Sequence, residues 1–173
     1  GVRRMIARLS ELLRYTMEGT GGQEVSLQEE LRFLDGYLEI QRIRFQDRLE
    51  VEQDIAPNDL DALVPSLILQ PLVENAIKHG VSRIEGVGRI EVRAWRDDES
   101  LYLSVRDNGP GFGEAFQKER PPEGVGLRNT RERLHSLYGD AQDLILEPIA
   151  EGGVQALIRL PYHTRADLHT VLS

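Results

Sequence analysis

Residues 71–80 place four chemically active side chains on a segment with helical periodicity. The segment reads Pro-Leu-Val-Glu-Asn-Ala-Ile-Lys-His-Gly. At 100° per residue, the apolar side chains share one side of a helix, and the other side carries Glu74, Asn75, Lys78 and His79. An amide oxygen suits Mg²⁺, a carboxylate can ligate or position its water, and Lys and His can meet phosphate oxygens. Taken alone, the segment fits an ordinary amphipathic helix with a solvated polar face better than it fits a binding site.

A second segment, Asp107-Asn108-Gly109-Pro110-Gly111-Phe112-Gly113, directly follows a strand-like run. An Asp at a strand end can accept a hydrogen bond from an exocyclic amine. Glycines beside it let the backbone lie against a flat ring. Asn-Gly is also a strong hairpin signal, but residues 114–123 are polar and contain Pro121-Pro122 rather than a strand. The pattern therefore favours a long loop that acts as a lid.

The third segment, Gly124-Val125-Gly126-Leu127, opens a helix with glycines. Free N–H groups and the helix dipole favour phosphate at such a position. A P-loop would require Gly-Lys-Ser/Thr, which is absent. A dinucleotide fingerprint would require a third glycine where Asn129 stands and a strand immediately before the segment. A simple flexible turn remains the alternative for this segment alone.

The composition excludes several other kinds of site. The chain has no cysteine, so thiol catalysis, disulfides and Cys-based metal sites are absent. His135, His163 and His169 lack the spacing to Asp or Glu that a zinc site would show. The net charge of -8 argues against binding along a nucleic-acid backbone, which needs a surplus of Lys and Arg.

The elements that position these segments can be read from periodicity. An apolar stripe predicts a first helix through Met5, Leu9 and Leu12, ended by glycines at 19–22. Ser26 followed by Glu29 forms a capping box and predicts a second helix with apolar residues from Leu27 to Phe45. Further helices are predicted over 67–79 and from about 127 to 138, each followed by a glycine.

Strands are predicted at 49–55, 90–94, 101–105, 144–147 and 154–160, with turns at 97–100 and Gly152-Gly153. Several consecutive strands look hairpin-linked, and the regular strand–helix alternation of a doubly wound sheet is missing. This order favours an α+β fold with helices on one face of the sheet.

The order of the three segments resembles the N, G1 and G2 boxes of the GHKL ATPases, which include histidine kinases, gyrase-type ATPases and Hsp90. The sequence of the first box is similar to that of LytS-type sensor histidine kinases. So is the sequence of the third box and its helix, Gly-Val-Gly-Leu-Arg-Asn-Thr-Arg-Glu-Arg-Leu. Upstream, Leu-Leu-Arg-Tyr at 12–15 and Val-Ser-Leu-Gln-Glu-Glu-Leu at 25–31 look like the same family. So do Tyr-Leu-Glu-Ile-Gln at 37–41 and Arg44-Phe45. The resemblance extends to about Tyr162.

The resemblance implies a two-layer α/β sandwich of Bergerat type, with a mixed, mostly antiparallel sheet of about five strands and helices on one face, preceded by a helical stem. It implies ATP and Mg²⁺ as ligands. Asn75 would hold Mg²⁺, assisted by Glu74, and Lys78 and His79 would contact phosphates. Asp107 would bind the adenine amine. The remaining expected binding residues are Gly109, Gly111, Gly124, Gly126 and Leu127.

The same resemblance divides the chain into a stem (1–46), an ATP-binding catalytic domain (47–162) and a tail (163–173). It implies a two-component sensor histidine kinase whose γ-phosphoryl passes to a histidine upstream of this sequence, because no His-Phe-Leu-Phe-Asn-like acceptor segment occurs here. A response regulator and a second copy of the parent protein are the expected partners. The domain is expected in the cytoplasm, with the bacterial parent anchored in the plasma membrane through segments missing here.

Two departures from the family pattern keep alternatives open. Pro71 stands where gyrase-type relatives carry a Glu, which argues against efficient ATP hydrolysis. A separate F box is unclear, with Phe112 and Phe116 as candidates. A GHKL-fold regulatory ATP-binding module, an anti-sigma-like Ser/Thr kinase and a pure interaction domain are the other functions considered. The helical stem favours the histidine kinase.

Overall fold

The computed structural model describes residues 2–6, 24–111 and 124–167. The helices and strands from residue 24 onward are, in chain order, β1 (Glu24–Ser26), α1 (Leu27–Phe45), β2 (Leu49–Ile55), β3 (Leu63–Pro65), α2 (Leu69–His79), β4 (Gly88–Asp97), β5 (Ser100–Asp107), α3 (Val125–Tyr138), β6 (Asp143–Pro148) and β7 (Val154–Pro161). Residues 2–6 are helical. The rest of the first predicted helix lies outside the described residues.

Within these ranges, a five-stranded mixed sheet has the order β2-β4-β5-β7-β6. The pairs β4–β5, β5–β7 and β6–β7 are antiparallel, and β2 lies parallel to β4. Because parallel neighbours cannot be joined by a tight turn, the chain crosses from β2 to β4 through α2. The predicted α+β sandwich with helices against a mixed sheet is confirmed.

The core lies between one face of the sheet and the three helices. Strand residues on this face alternate with exposed or half-buried ones, as the pleat requires. Ile90, Val92 and Ala94 of β4 are buried this way, and they join one apolar cluster with residues of α1, α2 and α3. On the opposite face, Trp95 stacks on Tyr102 with ring centroids 5.4 Å apart.

The start of α1 follows its predicted cap. Ser26 is the N-cap, and its Oγ accepts a hydrogen bond from the Glu29 N–H at 3.2 Å. The short strand β1 before it pairs with β3 in a two-stranded antiparallel ribbon. This ribbon was not predicted, because two three-residue strands are too short to show a period.

A polar cluster ties β1 to the far end of the chain. The Glu24 carboxylate accepts a hydrogen bond from the Tyr138 hydroxyl at 2.7 Å and lies 2.7 Å from His163 Nε2. The other ring nitrogen of His163 lies 3.1 Å from the Pro161 carbonyl oxygen. The bond to Glu24 raises the pKa of His163. Burial opposes ionisation of Glu24, but its bonds to His163 and Tyr138 leave its pKa lowered.

This cluster should make stability depend on pH. The contribution of His163 is complete below its ordinary pKa of 6.5 and is lost as pH rises through its raised value. That of Glu24 is complete above its ordinary 4.5 and is lost as pH falls through its lowered value. We expect His163→Gln to cost about 1 kcal/mol at pH 5.5 and much less at pH 8.5, as measured by urea denaturation. A cost that does not change between the two pH values would contradict this assignment.

Candidate functional site

Helix α2 forms one wall of the candidate site and has two chemically different faces. Its buried residues are Leu69, Leu72, Val73, Ala76 and Ile77. On the other side, Glu74 and Lys78 are exposed, and Asn75 and His79 are half-buried. The predicted division of this helix into an apolar and a polar face is therefore confirmed. The helix begins two residues later than expected, which places Pro71 in its first turn, where a missing N–H breaks no helical bond.

The charged residues of this polar face differ in their surroundings. Glu74 accepts a hydrogen bond from Gln70 Nε2 at 3.1 Å. Burial raises the pKa of Tyr37 on α1, and the charge of Glu74 adds to this effect. Burial also lowers the pKa of His79, helped by Arg83 and Lys78. Its ring can meet a phosphate through an N–H donor.

Asp107 ends β5 in a buried position, with only 8% of its surface exposed. Its Oδ1 accepts a hydrogen bond from the Gly109 N–H at 2.8 Å, and the Val154 N–H also donates to the carboxylate. Burial raises the pKa of Asp107, while these two N–H groups act in the opposite direction. Two donors leave further lone pairs on the carboxylate, so it can accept another hydrogen bond.

Three glycines surround this carboxylate more closely than any other residue could. A Cβ at Gly80 would lie 2.5 Å from Asp107 Oδ1, and one at Gly109 would lie 2.3 Å from the Gly80 Cα. A Cβ at Gly153 would lie 1.9 Å from the Asp107 backbone oxygen. Gly80, Gly109 and Gly153, called here the glycine cradle, therefore bring three stretches of backbone into direct contact around Asp107. Gly111 lies beside it with φ +74°, a conformation that favours glycine.

The sequence reasoning missed the part that Gly153 plays in this site. Gly152-Gly153 was read only as the turn between two strands. Both residues have positive φ, +110° and +95°. The pair signals an unusual backbone, but nothing local shows that its neighbour is a residue 46 positions earlier in the chain. Gly80 was likewise read only as a helix terminator.

The start of α3 presents backbone N–H groups without a side-chain cap. Gly124 is the N-cap and makes no side-chain capping bond. Gly124, Val125 and Gly126 are exposed. Leu127, by contrast, is buried with 4% exposure, so its side chain belongs to the core and only its backbone could border a ligand. Just beyond it, Thr130 is buried and donates from Oγ1 to the Gly126 carbonyl oxygen at 2.8 Å.

The two glycine-containing regions lie near opposite ends of α2. Gly80 and the glycine cradle are at its C-terminal end, whereas a Cβ at Gly126 would lie 3.8 Å from Pro71 Cβ in its first turn. Gly80 lies nine positions after Pro71, which corresponds to about 14 Å along a helix. Asn75 lies midway between them. The lid over 114–123, Phe112 and Phe116 lie outside the described residues, so this wall and its two ends define the site.

Comparison with known proteins decides what this arrangement belongs to. Residues 60–164 match the family model described as histidine kinase-, DNA gyrase B-, and HSP90-like ATPase, and residues 1–49 match that of histidine kinase. The chain belongs to the sensor histidine kinases with a GHKL-type ATPase domain. The resemblance read from the three boxes is thereby confirmed.

Individual relatives agree with this assignment. The chain is 32% identical over 170 residues to the sensor protein LytS of Staphylococcus haemolyticus. This match covers 94% of this chain and 29% of LytS. It is 34% identical over 155 residues to the sensor histidine kinase YpdA of Escherichia coli, covering 86% of this chain and 27% of YpdA. The chain thus spans less than a third of the length of these relatives.

Solved structures show the same fold. The catalytic domain of histidine kinase ThkA superposes with a TM-score of 0.61 at 20% identity, over 82% of this chain and 97% of that domain. ThkA in complex with the response regulator TrrA also gives 0.61, at 19% identity, over 91% of this chain and 48% of ThkA. In the described ranges of this chain, no helix combines the length and apolar character that crossing a bilayer requires.

The cradle can be tested with two neighbouring substitutions. Gly153→Ala adds a methyl group against the Asp107 backbone and strains a positive φ, so we expect a loss of about 2–5 kcal/mol in unfolding free energy. Gly152→Ala is the matched control, because it strains the same turn but its Cβ would lie 3.9 Å from the Gly109 oxygen, an ordinary van der Waals distance. Its cost should stay near 1–2 kcal/mol, that of the backbone strain alone. Equal losses in urea denaturation would show that the close approach does not matter.

Proposed function

We propose that this chain binds Mg²⁺-ATP along α2 and serves as the ATP-binding catalytic domain of a two-component sensor histidine kinase. In the parent protein the γ-phosphoryl would pass to a histidine upstream of this sequence and then to a response regulator. The observation that carries the proposal is the glycine cradle around a buried carboxylate, joined by a polar helix face to an uncapped helix start. The match of residues 1–49 to the histidine kinase model favours this function over a regulatory ATP-binding module or an anti-sigma-like Ser/Thr kinase.

The residues present fit an adenine at the cradle end. The absence of side chains on Gly80, Gly109 and Gly153 lets three stretches of backbone pack directly around the Asp107 carboxylate. The Asp107 carboxylate keeps lone pairs for an exocyclic amine. We assign Asp107 to the adenine amine, and Gly109 and Gly111 to the shape of the pocket.

The residues present also fit phosphates and Mg²⁺ at the other end. Asn75 offers an amide oxygen, a hard ligand suited to Mg²⁺, and the nearby Glu74 could hold a metal-bound water. Lys78 would supply positive charge and His79 an N–H donor. The uncapped N–H groups at Gly124, Gly126 and Leu127 are oriented for an anion. When bound, Mg²⁺ would neutralise phosphate charge, and these residues would position the phosphates. Positioning and charge neutralisation are the main contributions that a protein makes to phosphoryl transfer.

The setting of the domain in its parent extends the proposal. We propose the division into stem (1–46), catalytic domain (47–162) and tail (163–173). Helix α1, which lies within the stem range, contributes residues to the apolar core of the ATPase domain. The parent would be a homodimer with this domain in the cytoplasm and its anchor in the bacterial plasma membrane. A response regulator is proposed as partner because ThkA was solved in complex with one.

Two substitutions separate the ends of the site. Asp107→Asn should weaken both adenosine and Mg²⁺-ATP by more than about tenfold, because it replaces the acceptor for the amine. Asn75→Asp should weaken Mg²⁺-ATP by more than about tenfold and leave adenosine unchanged, because it puts a negative charge beside the phosphates. Calorimetric titration with each ligand measures both effects.

The control for this experiment is Asp54→Asn, which removes an exposed carboxylate of β2 that pairs with Arg93, away from α2. Its affinities should equal those of the unaltered chain, and circular dichroism should show all variants folded. Unchanged affinity in folded Asp107→Asn would sink the adenine assignment.

A further inference from the structure

Glu30 of α1 is a buried acidic residue in a stem helix, outside the three boxes. Its exposure is only 2%, whereas the preceding residue, Glu29, is exposed on its side chain and pairs with Arg165. Burying a carboxylate is costly unless hydrogen bonds compensate it. The position of Glu30 therefore depends on the groups that it contacts.

These groups are backbone N–H groups at the start of α2. Glu30 Oε2 accepts from the Leu67 N–H at 2.9 Å, and Oε1 accepts from the Leu69 N–H at 3.0 Å. The Ile68 N–H also donates to the carboxylate. Ile68 is the N-cap of α2 and makes no side-chain capping bond. The capping of α2 is thus supplied by a residue of another helix, 37 to 39 positions earlier in the chain.

The turn that Glu30 holds is itself unusual. Leu67 has φ +56°, a left-handed conformation that costs roughly 1–2 kcal/mol for a residue with a Cβ. Such a conformation persists only when its surroundings fix it. One carboxylate accepts hydrogen bonds from the N–H groups of Leu67 and Leu69, on either side of the turn, and can thereby fix it.

Helix α3 also contacts the segment just before α2. Arg133 donates from Nη2 to Ser66 Oγ at 3.4 Å. Burial raises the pKa of Glu30, while the three N–H groups and the charge of Arg133 act in the opposite direction. The carboxylate therefore lies where α1, the start of α2 and α3 meet, and α2 and α3 are the helices that form the proposed phosphate end of the site.

We propose that Glu30 is a positioning residue for Mg²⁺-ATP: it fixes the first turn of α2, and thereby sets the place of Asn75 relative to the N-terminus of α3. Asn75 lies six residues after Leu69, about 9 Å along the helix. A displacement of α1 would then reach the phosphate end of the site directly through this carboxylate. The inference rests on the proposed function, since it assumes that Asn75 and the start of α3 hold the phosphates and the metal.

The test compares Glu30→Gln with Glu29→Gln, a substitution of the same kind on the adjacent residue of the same helix. Glu30→Gln keeps the shape but turns an amide NH₂ toward N–H donors. We expect Mg²⁺-ATP affinity to fall at least about tenfold while adenosine affinity stays within about twofold, because the cradle lies at the other end of α2. Glu29→Gln should change neither. Amide hydrogen exchange should quicken in the first turn of α2 in Glu30→Gln alone.

Each result decides between distinct conclusions. Equal loss of adenosine and Mg²⁺-ATP affinity, or no loss of either, would overturn the positioning role. If Glu30→Gln does not fold by circular dichroism, Glu30→Asp takes its place, since it keeps the charge but withdraws it from the turn, and the same selective loss is expected. Absence of Mg²⁺-ATP binding by the unaltered chain would overturn the proposed function, and this inference with it.

Discussion

Around Asp107, backbone touches backbone, and this contact sets where the rest of the site can be. The end of α2 at Gly80, the loop after β5 at Gly109 and the turn before β7 at Gly153 approach to distances that a single Cβ would prevent. Since interiors are close-packed, a change at one of these positions must displace the others. The helix that carries the polar residues is thereby fixed at its C-terminal end to the neighbouring strands β5 and β7 of the sheet.

The other end of α2 is fixed by different means. Where the cradle relies on the absence of side chains, the first turn relies on the Glu30 carboxylate and its bonds to Leu67, Ile68 and Leu69. Between these two fixed points, the apolar face of α2 is buried and its polar face is left accessible. A rigid helix held at both ends is suited to present an amide and an ammonium group at constant spacing.

Local patterns predicted the elements of this fold well. Alternation located five strands of the sheet, and the Ser26–Glu29 cap fixed the start of α1, because both signals come from neighbouring residues. The three boxes located Asn75, Asp107 and the glycines on a helix, a strand end and a helix start. The long-range relations had no local signal. Neither the contact of Gly153 with Asp107 nor that of Glu30 with Leu69 could be read from spacing, since each joins residues about 40 or more positions apart. The roles assigned to the individual site residues remain predictions.

The stacked aromatic pair on the outer face of the sheet places the fluorescent side chain of this protein on the far side of the sheet from the helices. Trp95 is the single tryptophan of the chain, and it lies against Tyr102 on the face of β4 opposite to Ile90, Val92 and Ala94, which contact the helices. The sheet itself stands between this indole and α2. We therefore expect tryptophan emission to respond to the pairing of β4 and β5, the strands that carry the two rings. Occupancy of the site should therefore reach this signal only through the stability that a bound ligand adds to the native state.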